Sequence, residues 1–432
     1  MEHIDKILDL LNHSYSTFHV VKNIEEELIK EDFILLKENQ NFNLESGKNY
    51  YIKRNGTSII AFKVPNDFSL DKASFLLTAT HNDSPTFKLK PNPIIVKDNL
   101  MLLNTEPYGG GIYASWLDKP LSFAGRVFVE SSKGIEVHLL AIDEDILEIP
   151  NVCIHMRRNI NSENSYNAAV DMLPVFGYKE EGFDFNSYLL EKLGLNKDEY
   201  KVLSHDLFLY NREKAKLIGK SKELLGAGRL DDLASTYSAL LGFLSAKDSS
   251  NIQVYASFDN EEVGSLTRQG ANSTFLKETL KRILSSLESE KDDYEKAIAS
   301  SMMLSIDNAH ANHPNHPEYS DKTTNVNMGK GIVIKYNANQ SYTSDGYSSS
   351  LFKSLLIKEN IPYQEYTNRS DLRGGSTLGN ISNSEVSLIA VDIGLPQLAM
   401  HSNYELMGKA DIDYLIKATS AYFSSDIKPE LV

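Results

Sequence analysis

Apolar residues open the chain at helical spacing. Ile4, Ile7, Leu8 and Leu11 fall on one stripe and a second amphipathic stretch covers residues 20–29, so both segments are expected to be helices packing by one face. From about Ser58 the period shortens. Residues 59–64 and 74–80 are β-type runs, and Phe75-Leu76-Leu77-Thr78-Ala79-Thr80 is mostly apolar on both parities, as suits a strand buried on both faces. Between about 87 and 220 the pattern is different again, with β-type runs at 93–96, 121–129, 135–142 and 207–210, a Gly109-Gly110-Gly111 cluster and few long helical stripes. This reads as an inserted β-rich domain. After Gly226-Ala227-Gly228 a helical stripe follows (Leu233, Tyr237, Leu240, Leu241, Leu244), then a strand at 252–258 and a helix through Leu276, Leu280, Ile283, Leu284 and Leu287. Further strands are expected at 302–306, 332–334 and 386–391. Alternating strands and helices predict an α/β fold with a mostly parallel sheet covered by helices on both faces. The domains expected are 1–86 with 222–432, discontinuous, and 87–221, inserted.

Composition narrows the chemistry. The 432 residues leave room for two or three lobes and a large core, and Cys153 is the single cysteine. An intrachain disulfide and a zinc site built on several thiolates are thereby excluded, a reducing compartment is expected, and any metal must be held by histidines and carboxylates. With 44 Lys+Arg against 59 Asp+Glu the net charge is −15, and no basic block stands out. Nucleic acid and anionic lipid are therefore not expected as partners. The opening Met1-Glu2-His3-Ile4-Asp5-Lys6 is polar and no apolar run approaches about 18 residues, so neither signal peptide nor membrane span is expected and the location expected is cytoplasmic.

Five polar segments punctuate this pattern: His81-Asn82-Asp83-Ser84-Pro85, Arg229-Leu230-Asp231-Asp232, Asp259-Asn260-Glu261-Glu262, Asp307-Asn308-Ala309-His310 and Met400-His401-Ser402. Four follow an apolar strand-like run or lie within a few residues of one, and groups beyond the carboxyl ends of strands in an open α/β sheet converge on one crevice. Each has an ordinary reading when taken alone. Asp231 or Asp232 suits the N-cap of the helix near Leu233, Glu261-Glu262 suits a solvated turn, and a single histidine is most often a surface group. Together they need a common cause, and a metal site supplies one. Histidine and carboxylate without thiolate suit zinc, manganese or cobalt in a catalytic site with an open position. Of the adjacent Glu261 and Glu262, one can bind metal while the other faces the activated water as a base.

Seven blocks in order resemble the aspartyl aminopeptidase family of metallopeptidases. They are Thr80-His81-Asn82-Asp83-Ser84-Pro85; Gly109-Gly110-Gly111 with Trp116-Leu117-Asp118-Lys119-Pro120-Leu121; Arg229-Leu230-Asp231-Asp232; and Asp259-Asn260-Glu261-Glu262-Val263-Gly264-Ser265. Asp307-Asn308-Ala309-His310-Ala311-Asn312-His313-Pro314-Asn315, Val333-Ile334-Lys335-Tyr336-Asn337-Ala338-Asn339-Gln340 and Leu398-Ala399-Met400-His401-Ser402 complete the set. The resemblance runs from about residue 5 to 425. It implies a dinuclear zinc exopeptidase whose catalytic α/β domain is interrupted by a β-rich dimerisation or lid domain, and which assembles from dimers into a tetrahedral dodecamer. By the same resemblance His81 and His401 would be ligands on different metals, Asp231 the bridging carboxylate, Glu262 and Asp307 the remaining ligands, Glu261 the general base and Asp83 the group that orients His81. His155 matches a family histidine that reaches a neighbouring subunit's site, either as a substrate contact or as an auxiliary metal ligand.

Of the loop histidines, His310 and His313 are taken as substrate contacts, because Pro314 and Pro317 break any helix that would align them with His316 as ligands. Lys335 is the candidate partner of a substrate carboxylate. Two departures from the family pattern stand out: Asp232 replaces a common asparagine, and Ser341 replaces a usual arginine, which removes one cation from the substrate pocket. The function expected is removal of N-terminal residues, Asp or Glu, from short peptides. An N-acyl-amino-acid hydrolase on the same ligands and a silent oligomeric scaffold are the competing readings.

Overall fold

The computed structural model describes residues 2–290, 292–372, 374–375 and 377–429. The largest sheet has nine strands in the spatial order Ile34–Leu36, Asn49–Arg54, Ser58–Lys63, Ile252–Phe258, Phe75–His81, Met302–Ile306, Ile389–Gly394, Ile332–Tyr336 and Tyr363–Thr367. Its centre is parallel: Ile252–Phe258, Phe75–His81, Met302–Ile306 and Ile389–Gly394 run side by side in one direction. These strands are buried along almost their whole length, which is why each reads as a continuous apolar run.

Alternate residues of these strands feed two separate cores. Leu76, Met302, Leu304 and Ile306 point to the face covered by Glu2–Asn12, Thr17–Lys30, Leu230–Ser245, Gly346–Lys358 and Lys409–Phe423. Phe75, Leu77, Ala79 and Met303 point to the opposite face, under Phe275–Ser286, Asp293–Ala299 and Leu378–Glu385. The helices Leu230–Ser245 and Lys409–Phe423 pack so closely that a Cβ on Gly242 would lie 1.9 Å from Thr419 Oγ1.

A six-stranded antiparallel sheet is drawn wholly from residues 86–211, in the order Gly134–Ala141, Leu121–Ser131, Lys201–Asn211, Thr86–Lys97, Leu100–Tyr108 and Val175–Tyr178. It has its own core around Phe87, Leu103, Trp116, Phe123 and Val127, closed by the helix Phe185–Leu193. A third sheet of five short strands (Lys216–Ile218, Leu224–Ala227, Glu405–Gly408, Pro396–Leu398, Ala309–His310) sits where the polar segments gather.

Several observed elements, among them the strands Ile34–Leu36 and Asn49–Arg54 and the helices Gly346–Lys358 and Lys409–Phe423, lie outside the expected set. The strand expected at 386–391 lies at Ile389–Gly394, because Val386 caps the helix Leu378–Glu385, its N–H donating to the Ser382 carbonyl, and residues 387–388 link that cap to the strand. The five-stranded sheet was not anticipated, since strands of two to four residues carry too little alternation to register.

Candidate metal centre

His81 is the last residue of its parallel strand and sits beside Phe258 in the register, so the segment following Phe258 leaves the sheet next to it. Asp307 follows Met302–Ile306 directly, Asp231 enters the helix that follows Leu224–Ala227, and His401 lies in the turn between Pro396–Leu398 and Glu405–Gly408. His81 Nε2 is 3.7 Å from Asp231 Oδ1 and 3.8 Å from Asp307 Oδ1. His401 Nε2 is 3.4 Å from Asp231 Oδ2 and 3.4 Å from Glu262 Oε1. The two carboxylate oxygens of Asp231 thus face two different groups of donors, each compact enough that its ligand atoms lie within 4.8 Å of one another. A third such group joins His81, Glu261 and Glu262.

The imidazoles are oriented by backbone carbonyls. His81 Nδ1 donates to the Asp83 carbonyl at 3.1 Å and His401 Nδ1 to the Gly110 carbonyl at 3.0 Å. Each ring is left with Nε2 turned toward carboxylates, the tautomer a metal-ligating histidine needs. Of the glycine cluster, Gly109 is the position with a positive φ, +71°, which favours glycine, and a Cβ there would press on Glu262 Cβ at 3.1 Å. Arg229, Asn260 and His401 are non-glycine residues with φ of 62°, 64° and 66°, one in each of three site segments, and such outliers gather where a structure holds functional groups in place. The Asp231–Asp232 peptide bond is cis.

Around these donors lies a shell that fixes the backbone. The Asp83 carboxylate accepts from Tyr108 Oη at 2.7 Å, from the Glu261 N–H at 3.1 Å and from the Glu262 N–H at 3.2 Å. It stands 3.5 Å from His81 Nδ1, so it holds the glutamate turn more firmly than it holds the histidine. Asn260 Nδ2 donates to the same tyrosine hydroxyl at 2.8 Å. Glu405, 2% exposed, accepts from the Asp231 N–H at 3.0 Å and the His401 N–H at 2.8 Å. Tyr108 and Glu405 were missed in the sequence. Neither stands in one of the five polar segments, and only pairing across the fold reveals their role.

The charges do not balance on protein atoms alone. Burial pushes Glu261 up to about 7, with His81 opposing and Asp307, Asp83 and Asp231 adding repulsion. Burial likewise drives Glu262 and Asp232 well above the carboxylate range, and lifts Asp259 to about 7 and Glu405 to about 8. Burial would raise Asp231 too, but the neighbouring His401 and His81 imidazoles hold it below its ordinary value. Asp231 Oδ1 and Glu262 Oε1 are sealed from solvent without a hydrogen-bond partner. Unpartnered carboxylate oxygens facing bare imidazole nitrogens fit divalent cations, which supply the missing positive charge.

The other candidates fall in different places. Lys335 lies on Ile332–Tyr336, 2% exposed, and its ammonium donates to the carbonyls of Asp307 at 2.7 Å and Asn308 at 3.3 Å. It is a buried group beside Asp307, not a lysine held out to solvent. His310 and His313 line one cavity together with His316, Tyr366 and Arg369, and the His310 ring stands 6.2 Å from that of Tyr366. His155 lies in the exposed segment before Val175–Tyr178, and the chain's own fold does not bring it to the donor cluster.

Comparison with known proteins agrees with this geometry. The family model described as aminopeptidase I zinc metalloprotease (M18) matches residues 10–423. The probable M18 family aminopeptidase 2 of Clostridium novyi is 43% identical over 97% of this chain and 98% of its own length, and that of Clostridium acetobutylicum is 41% identical over 98% and 99%. Among solved structures, the complex of Ape4 and Nbr1 superposes with a TM-score of 0.93 at 33% identity, covering 97% of this chain and 85% of that one. The S. cerevisiae mApe1 dodecamer superposes with a TM-score of 0.86 at 25% identity, covering 97% and 95%. With nearly its whole length matched in sequence and in fold, the chain belongs to the M18 family of zinc aminopeptidases.

Proposed function

We propose that the protein removes acidic N-terminal residues from short peptides at a centre of two divalent ions, zinc by the family description and manganese or cobalt as alternatives. One ion would be held by His81, Asp307 and Asp231, the other by His401, Glu262 and Asp231, with Asp231 as the bridge. The observation that carries this is the split of Asp231, whose two oxygens face separate histidine-carboxylate sets. Zinc bound there acidifies water and polarises the scissile carbonyl. Glu261 makes no side-chain hydrogen bond among the described residues and stands beside His81 and Glu262, free to take a proton from the attacking water at its carboxylate and return it to the leaving amine. Asp83, through the Glu261 and Glu262 N–H groups, holds the turn that aims this carboxylate.

The acidic preference rests on the resemblance and on Lys335. An ammonium has three donors; two go to the Asp307 and Asn308 carbonyls and the Asp307 carboxylate stands 3.7 Å away, so a substrate carboxylate would share the ammonium with Asp307. His310 and His313 would line the approach. His155 would act in a neighbouring subunit's site, in an assembly of dimers into a dodecamer like the one the mApe1 structure describes. Two features support association: Ile135, Val137 and Leu139 expose an apolar row on an edge strand, and Ile154 and Met156 flank His155 in exposed positions. The domains would be 1–86 with 222–432 as catalytic and 87–221 as dimerising; the six-stranded sheet, drawn from residues 86–211, supports the inserted unit, although Lys216–Ile218 pairs with Leu224–Ala227 across its second boundary. A cytoplasmic location accords with the single cysteine. Among the described residues no helix is long and apolar enough to cross a membrane.

The test is cleavage by zinc-loaded protein of peptides that begin with Asp, Glu, Leu or Lys, beside their N-acetylated forms, and by Glu261→Gln. Free-amine Asp and Glu peptides are expected to be cleaved fastest, with turnover lowered by about 10²–10⁴ in the variant. Preference for acylated substrates would select the deacylase reading, and equal rates for Leu peptides would remove the acidic preference.

A further inference from the structure

The peptide group that precedes the shared carboxylate is gripped at both of its polar ends by side chains. Asn308 Nδ2 donates to the Leu230 carbonyl at 2.7 Å, and the Asp231 N–H donates to Glu405 Oε2 at 3.0 Å. The two gripping side chains are joined through a third. Asn308 Nδ2 also donates to Gln397 Oε1 at 2.8 Å, and Gln397 Nε2 donates to Glu405 Oε1 at 3.3 Å. One peptide group and three side chains thus close a ring, with Asn308 3%, Gln397 1% and Glu405 2% exposed. Its direction is forced. The Leu230 carbonyl only accepts, which turns the Asn308 nitrogen toward it, and Glu405, already accepting from the Asp231 and His401 N–H groups, takes the Gln397 nitrogen in turn. Ser235 Oγ donates to the Asn308 oxygen at 2.6 Å and completes that amide.

The ring touches three of the segments that bring the donors together. Asn308 follows Asp307, Glu405 holds the His401 N–H at 2.8 Å, and the gripped peptide carries Asp231. Gln397 stands on Pro396–Leu398, which pairs with both Ala309–His310 and Glu405–Gly408, and so spans the two. Asp231 has φ −83° and ψ 109°, outside helical values, so the helix that follows does not set the direction of its carboxylate. A buried peptide group must be satisfied by some partner, and here the partners are side chains fastened to both donor sets. We propose that Asn308, Gln397 and Glu405 are positioning residues that fix how Asp231 divides its oxygens, and that Gln397 couples the two ion sites. This rests on the two-ion centre proposed above. Among the described residues the Gln397 side chain bonds only Asn308 and Glu405, so opening the ring there leaves every metal donor in place. Asn308 then keeps Leu230 and Ser235, and with them the Asp307 side. Glu405 loses its tie to that side, and His401, in a turn between short strands, depends on Glu405 for its N–H. The ion at His401 and Glu262 is therefore the one that weakens.

The test uses Gln397→Met, which keeps the length of the side chain and removes both of its polar ends. Zinc-loaded parent and variant are dialysed against buffers of stepped free zinc, and zinc per chain and Tm are measured at each step. The parent is expected to hold two zinc ions per chain. The variant is expected to hold the first at the parent's free zinc and to need about 10–100-fold more for the second, the range set by groups that support metal ligands. Its Tm is expected to rise less on zinc loading than the parent's, because stabilisation follows saturation. A variant that fills both sites at the parent's free zinc, or whose Tm is lowered equally with and without zinc as a purely structural role requires, overturns the proposal. Where the methionine variant fails to fold, Glu405→Gln sets an amide N–H group against one of the two backbone N–H groups, and the same outcomes decide. A parent that holds one zinc per chain overturns the two-ion centre and this proposal with it, whereas two in the parent and an unchanged variant overturn the proposal alone.

Discussion

Replacing Tyr108 by phenylalanine tests whether the glutamate turn is held from outside. The hydroxyl donates to Asp83 at 2.7 Å and accepts from Asn260 at 2.8 Å, and burial beside Asp83 pushes the phenol well above its ordinary value, so it stays protonated and keeps donating. The substitution removes one hydrogen bond to a charged acceptor, worth about 1.5–3 kcal/mol, and leaves the Asn260 amide short of a partner. The two backbone N–H groups still hold Asp83, at 3.1 Å and 3.2 Å, so the metal donors stay assembled while the turn loosens. At about 1.4 kcal/mol per tenfold, kcat is expected to fall by about 10- to 100-fold. The assay is steady-state peptide cleavage at saturating zinc, with metal content measured on the same sample. A variant with full zinc and kcat within twofold of the parent refutes the idea that this hydroxyl positions the base.

Other expectations follow from the packing and from the donors. Gly242→Ala places a methyl against Thr419 and 2.8 Å from the Ile416 carbonyl, so a loss of about 1–3 kcal/mol and a lower Tm are expected in thermal unfolding. His19 is 8% exposed and burial lowers its pKa to about 4, against about 6.5 in the unfolded chain. The unfolded state therefore binds the extra proton in that window, and this contribution to stability is complete above about pH 6.5 and is lost as pH falls toward 4, by about 3 kcal/mol. Denaturant titrations at pH 7 and pH 5 should show a smaller drop for His19→Gln than for the parent. Chelation of the zinc-loaded protein is expected to abolish cleavage and to lower Tm, with both restored by zinc, because the Asp231, Glu262 and histidine atoms lose the charge that pairs them. Asp231→Asn is expected to lower zinc content further than Asp83→Asn, since only Asp231 faces both donor groups.

What could be read from the residue pattern depended on local signal. The strands Ile252–Phe258 and Met302–Ile306 match the expected runs end to end, because burial on both faces leaves no polar interruption. Lys409–Phe423 carries a readable stripe in Ile412, Leu415, Ile416, Thr419 and Phe423, and Gly346–Lys358 opens on a reciprocal cap between Asp345 and Ser348; neither helix is among the expected elements. The five expected donors stand together because each follows or interrupts a strand, where polarity is conspicuous. Lys335 is the opposite case. An isolated lysine in an apolar strand needs an interior partner, and that partner, the Asp307 carbonyl, is set by the pairing of Ile332–Tyr336 with Ile389–Gly394 and not by any neighbour in the chain. Tyr108 and Arg229 owe their settings to the seam between sheets, which no local window contains.

The central claim is that Asp231 divides its two oxygens between two metal ions. A crystal structure of the zinc-loaded protein, with anomalous scattering recorded on both sides of the zinc edge, measures this directly. Two peaks are expected, one against His81 and Asp307 and the other against His401 and Glu262, with an Asp231 oxygen at each. A single peak, or two peaks that leave Asp231 on one ion alone, would contradict the account.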